Sequence, residues 1–148
     1  MEEQAIYDVL TYIIKKIENR SIIWRLEGSA NLRIQGIPLP VKDLDITTDK
    51  DGIKTFEEIL GSEIQKLYYN QRTQSSSLIA SILGEAVEIN NYNQKGLNML
   101  DRMKPITWKG LEFPILPLPA AREFYHRIKR NEKVQIIDNY LRKRKSWK

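Results

Sequence analysis

Two aspartates one residue apart, Asp43 and Asp45, sit in the stretch Val-Lys-Asp-Leu-Asp-Ile-Thr, where Leu44 and Ile46 mark an alternating strand over 41–48. Alternation sends both aspartates to one face, about 7 Å apart along the strand. Carboxylates that close either repel one another or share divalent cations. Upstream, Gly28-Ser29 stands where a strand turns into a short helix. Glycine there lets backbone N–H groups approach a ligand, and a helix N-terminus favours negative charge. That suits a phosphate, although the same dipeptide also serves as a plain turn. Downstream, Glu88 is an isolated acid between Val87 and Ile89. If its strand, 85–90, lies beside 41–48, three carboxylates converge near a phosphate cradle and form a two-metal phosphoryl-transfer site. If it does not, Glu88 is an ordinary solvent-facing glutamate.

The rest of the composition narrows the metal chemistry. The 148 residues include no cysteine and one histidine, His126, so thiolate and multi-histidine sites are excluded. Any ion must be held by oxygen, which favours magnesium, manganese or calcium. Charge is uneven: residues 1–121 hold 14 Lys/Arg against 16 Asp/Glu, and residues 122–148 hold 10 against 3. A basic end on a near-neutral body suits a polyanion such as a phosphate, a nucleotide or nucleic acid. It equally describes a solubilising helix that frays over its last six residues. The N-terminus is acidic, and no apolar run reaches the ~18 residues of a membrane span, so a cytoplasmic protein is expected.

The elements that must position these groups follow from periodicity. Ile6, Leu10, Ile13, Ile14 and Ile17 predict an amphipathic helix over 3–19, and Ile22–Leu26 a buried strand ending at Glu27-Gly28-Ser29. Asn31–Gln35 can make a helical turn or two before Gly36, followed by an extended Ile37–Pro40 loop. A helix over 53–60, capped by Asp49 or Asp51, precedes strands at 64–69, 76–83 and 85–90. Gly84-Glu85 is read as a turn and 90–94 as loop; 97–103 is helix or strand. A hairpin turning at Lys109-Gly110 ends at Pro114, Pro117 and Pro119, and helices follow over 120–130 and 132–142. The expectation is one α/β or α+β domain, with a core over about 1–117 and a helical extension over 118–148.

Gly28-Ser29, a gap, Asp43-x-Asp45 between apolar flanks and a later strand bearing a lone carboxylate together resemble the DNA polymerase beta-like nucleotidyltransferase superfamily. The longer string from Glu27 to Asp49, and the ending from Phe113 to Val134, are similar to a small prokaryotic, largely archaeal branch of it. The resemblance implies a mixed sheet flanked by helices, and transfer of a nucleoside monophosphate from an NTP to a hydroxyl with release of pyrophosphate. It implies that Gly28 and Ser29 hold the phosphates, that Asp43 and Asp45 ligate Mg²⁺ or Mn²⁺, and that Glu88 completes the metal site or acts as base. ATP is the first NTP to consider, and the acceptor is a protein side chain, an RNA end or a small molecule. Glutamate stands here where polymerases more often carry aspartate.

Weaker candidates are Arg33 and Lys42, as phosphate contacts or surface charges, and the group Arg122, Tyr125, His126, Lys129, Arg130 and Lys133. That group could clamp a triphosphate, grip an RNA end or form a solvated helix face. Trp24, Trp108, Tyr68 and Tyr69 read as core or sheet packing. The rival function is a catalytically inactive module on the same scaffold, binding nucleic acid or a partner protein through the basic C-terminal helices.

Overall fold

The computed structural model describes residues 1–94 and 96–146. Helix α1 (Glu3–Ile17) leads to strand β1 (Trp24–Glu27), helix α2 (Gly28–Ile34), strand β2 (Leu44–Thr48) and helix α3 (Lys50–Leu60). Strands β3 (Ile64–Asn70), β4 (Ser75–Ile82) and β5 (Glu85–Tyr92) form a meander, β6 (Lys104–Trp108) and β7 (Leu111–Ile115) a separate hairpin. Helices α4 (Leu118–Arg127) and α5 (Asn131–Ser146) complete an α+β fold. The last two residues of the expected frayed tail lie outside the described residues; α5 is helical up to them.

The main sheet runs β1-β2-β5-β4-β3. Its pairings are antiparallel except β2 with β5, where β5 inserts between β2 and β4 and sets Asp45 opposite Glu88. The sheet has two unlike faces. Leu26, Leu44, Ile46, Leu78, Ala80, Ile82, Val87 and Ile89 are buried in one core with Ile6, Val9, Leu10 and Ile13 of α1 and Phe56 and Leu60 of α3. A second core, including Leu32, Leu116, Phe124, Tyr125 and Ile137, joins α2 to α4 and α5. Asn31 fixes that junction: its side-chain amide donates to the Leu116 carbonyl at 3.0 Å and its carbonyl accepts from Leu116 N.

Several boundaries differ from the sequence reading. Strand β2 begins at Leu44, so Asp43 lies in the bend before it rather than within the strand. The reason is the register: β1 reaches only Glu27, opposite Asp45, and there turns into α2, which leaves residues 41–43 without a β1 partner. Helix α2 starts at Gly28 itself, and α3 starts at Lys50, capped by Asp49, whose carboxylate accepts from Gly52 N at 2.7 Å. Strand β5 continues through Asn90, Asn91 and Tyr92, which sequence polarity had suggested was loop. The turn before it is Leu83-Gly84, both at positive φ, the two-residue form that matches strand twist. Residues 97–103 are neither long helix nor strand; a single 3₁₀ turn spans Leu100–Arg102. Pro114 lies inside β7, opposite Pro105, instead of ending the hairpin.

Candidate active site

The face of the sheet turned away from α1 and α3 is polar, in rows set by the register. Glu27, Asp45 and Glu88 stand side by side on β1, β2 and β5. Behind them run Arg25, Thr47, Asn90, Ser77 and Tyr68. Tyr92, Ser75 and Asn70 make a third row. Over this face, α4 and α5 close a cavity of about 310 Å³ whose lining includes Gly28, Ser29, Asp43, Asp45, Glu88, Arg130 and Lys133.

Asp43, Asp45 and Glu88 each present a carboxylate oxygen, and the three oxygens lie within 4.8 Å of one another. Oxygens facing each other across a hard divalent ion are at most about 4–5 Å apart, so the donor set fits magnesium, manganese or calcium. The electrostatics point the same way. Burial, then the charges of Glu27, Asp43 and Glu88, hold the Asp45 carboxyl well above the usual carboxylate range, and Lys133 opposes them only in part. Burial also raises Glu88, with Glu27 and Asp43 adding to it. A cation relieves this repulsion.

Gly28 sits at φ +74°, and a Cβ there would overlap the Asp45 carboxylate Oδ2. Its glycine is therefore required twice, by backbone conformation and by close approach. We expect Gly28→Ala to lower stability by about 1–2 kcal/mol from φ alone and to push the Asp45 carboxylate out of line. Chemical denaturation and a metal-binding titration on the same variant check both effects. Ser29 Oγ accepts from Lys133 Nζ at 2.8 Å, which ties α5 to the Gly28-Ser29 turn. Burial, and after it Arg130, lowers the Lys133 ammonium below its ordinary value.

Arg33 and Lys42 are not brought to the cavity: Arg33 Nη1 donates to the Leu39 carbonyl at 3.2 Å, and Lys42 is exposed. The helical group divides. Tyr125, Arg130 and Lys133 line the cavity. Arg122 forms a two-point ion pair with Asp138 on the surface, and His126 and Lys129 are exposed. Trp24 is core, and Trp108 packs against Phe113 with ring centroids 6.4 Å apart.

The structure adds residues the sequence reading passed over. Tyr68 is more than sheet packing: its hydroxyl donates to Glu88 Oε1, and burial together with Glu88 pushes that phenol up to about 12. Glu27 is a fourth, buried carboxylate, accepting from Thr47 Oγ1 and from the Tyr92 hydroxyl at 3.1 Å. Arg25 lies fully buried beside it, Nη2 4.0 Å from Glu27 and the guanidinium 4.9 Å from the Phe124 ring centroid. The available signal was period two. Arg25 and Glu27, Ser75 and Ser77, and Glu88, Asn90 and Tyr92 each repeat polar groups at alternate positions of strands whose other face is apolar.

No protein-family model matches the chain, and no curated protein matches it by sequence. Solved structures do. A Thermotoga maritima protein assigned as a nucleotidyltransferase superposes with a TM-score of 0.71 at 24% identity, covering 97% of this chain and 96% of that one. The lincosamide antibiotic adenylyltransferase LnuA, in its lincomycin-bound form, gives 0.60 at 15% identity over 88% of this chain and 95% of its own. ANT(2″)-Ia in complex with adenylyl-2″-tobramycin gives 0.62 at 11% identity over 90% and 88%. The polar sheet face roofed by two C-terminal helices thus sits in a fold that this chain shares with solved nucleotidyltransferase structures.

Proposed function

We propose that this protein transfers a nucleoside monophosphate, AMP in the first instance, from an NTP to a hydroxyl acceptor and releases pyrophosphate. The observation that carries this reading is the convergence of Asp43, Asp45 and Glu88 beside Gly28-Ser29 and Lys133 in one cavity. The two adenylyltransferases of the same fold support it. Asp43, Asp45 and Glu88 would hold Mg²⁺ or Mn²⁺, which supplies charge neutralisation at the α-phosphate and activation of the attacking oxygen.

The chain's own groups do the rest. The Gly28-Ser29 backbone receives the β- and γ-phosphates. Lys133, now on Ser29, has a phosphate oxygen as its stronger alternative partner, because a charged acceptor outbids a hydroxyl. Arg130, held by Glu132 at 2.5 Å, adds a second cation on the same side. Glu88 takes the proton of the acceptor hydroxyl. Tyr68 occupies Oε1 and leaves Oε2 turned to the cation and the acceptor hydroxyl beside it, so Tyr68 orients the carboxylate.

Lys133→Ala should weaken NTP binding about tenfold or more, the worth of a charged hydrogen bond, while leaving the fold intact. A binding titration beside a thermal melt separates the two. The reaction itself is tested by incubating the protein with Mg²⁺, α-labelled NTPs and a cell extract. Label transfer with pyrophosphate release, lost in Asp43→Ala, is the expected result. No transfer from any of the NTPs overturns the proposal.

A further inference from the structure

The in-line geometry of phosphoryl transfer fixes where the acceptor must lie. Attacking and leaving oxygens sit on opposite sides of the reacting phosphorus. Gly28, Ser29 and Lys133 lie on the β1 side of Asp45, so pyrophosphate departs that way. The attacking hydroxyl then arrives from the other side, across β5, β4 and β3, where Glu88 stands. The floor on that side is the second and third rows of the polar face. Thr73, Ser75 and Ser77 form a continuous hydroxyl chain, 2.8 and 3.4 Å apart, and Ser77 donates to Asn90 Oδ1 at 2.5 Å. This is an uncharged surface of hydroxyls and amides, suited to sugar-like hydroxyl groups.

At its far end, on the turn between β3 and β4, stands Arg72. The turn is held by Asn70 Oδ1, which accepts from Arg72 N at 3.0 Å and from Thr73 N at 3.3 Å. The Arg72 side chain is exposed on the cavity wall and has no ion-pair or hydrogen-bond partner among the described residues. The cavity's carboxylates are Glu27, Asp43, Asp45 and Glu88, all at the opposite end. A polycationic acceptor would therefore meet neutral groups and an arginine, and an anionic one would meet a free guanidinium.

We infer that the acceptor is a small polyhydroxylated molecule carrying an anionic group such as phosphate, with its hydroxyls over Thr73, Ser75 and Asn90 and its anion on Arg72. This rests on the nucleotidyltransferase reading of the same cavity. The arginine makes the site selective: planar, doubly donating, and the only positive charge on the acceptor side among the described residues lining the cavity.

The test uses protein saturated with Mg²⁺ and an α,β-methylene NTP analogue, which fills the phosphate positions, and titrates in ribose 5-phosphate, ribose and tobramycin by calorimetry. Ribose 5-phosphate should bind at least tenfold more tightly than ribose, and tobramycin more weakly than either. Arg72→Gln should remove the preference for the phosphorylated sugar, and Arg72→Lys should restore part of it. Equal binding of ribose and ribose 5-phosphate, tighter binding of tobramycin, or no effect of Arg72→Gln overturns the acceptor assignment while the nucleotide reading stands. If the analogue itself does not bind wild-type protein with Mg²⁺, both fall together.

Discussion

Asp45→Asn should make the metal-free protein more stable than wild type and, in the same molecule, reduce nucleotide transfer by about a thousandfold or more. The two effects have one cause. Asp45 is partly buried, with Glu27 and Glu88 paired to it on either side and Asp43 two residues before it. Burial and those three charges disfavour its ionised form. Asparagine keeps the shape and removes the charge, so the folded state gains about 1 kcal/mol, or about 3 °C in a chain of this size. On the proposed function, the same substitution removes one of the three carboxylates that would hold the cation at the α-phosphate, a contribution of several kcal/mol to the transition state. Melting in EDTA and a pyrophosphate-release assay check the pair. A destabilised Asp45→Asn would mean that Asp45 is held by partners rather than strained by neighbours.

The largest stability effect should come from the row behind it. Arg25 is fully buried, donates from Nε to the Asn98 carbonyl at 2.9 Å, lies against Phe124 and faces Glu27. Removing it leaves the Glu27 carboxylate buried with only the Thr47 and Tyr92 hydroxyls, so Arg25→Ala should cost about 3–5 kcal/mol. Most of that is the isolated charge rather than lost attraction. Arg25→Met combined with Glu27→Gln should therefore be far milder than the sum of the two single changes, a coupling that a denaturant double-mutant cycle reads directly. Additive losses would show that the pair does not act as one unit. In the fold, this pair underlies the carboxylate row: Glu27 stands on β1 opposite Asp45, and Arg25 makes a buried glutamate tolerable there.

The sequence made some of this legible because its periodicities were unopposed. Ile6, Leu10, Ile13 and Ile17 could only be the inner face of a helix, and Leu44 and Ile46 could only point into a core. The alternation through Val87, Glu88 and Ile89 placed the glutamate opposite the apolar face, and parallel pairing set it against Asp45. Asp43 was misplaced because strand length is decided by the partner: β1 ends at Glu27, and nothing in Val41-Lys42-Asp43 announces that. Asn90 and Asn91 looked like loop because polar residues in a strand normally mean solvent, whereas both are buried and Asn90 lines the cavity. Glu27 and Tyr68 stayed invisible for a related reason. Their roles depend on partners 20 or more residues away, Thr47 and Tyr92 for one and Glu88 for the other. The C-terminal helices displayed their charge but not its use. Of six candidate residues, Arg122 was spent on Asp138, while Arg130 and Lys133 came over the site through the turn at Ile128–Arg130.

The central claim is that Asp43, Asp45 and Glu88 hold a cation together with the triphosphate resting on Gly28-Ser29 and Lys133. Thermal unfolding of the wild type, Asp43→Asn and Asp45→Asn, each with and without Mg²⁺ and ATP, addresses it directly. A ligand that binds the folded state at a hundred times its dissociation constant stabilises it by about 2.7 kcal/mol. Wild-type protein should show a rise in Tm that needs metal and nucleotide together, and neither variant should show it. An equal rise in all three proteins would place the nucleotide elsewhere and contradict the assignment of this cavity.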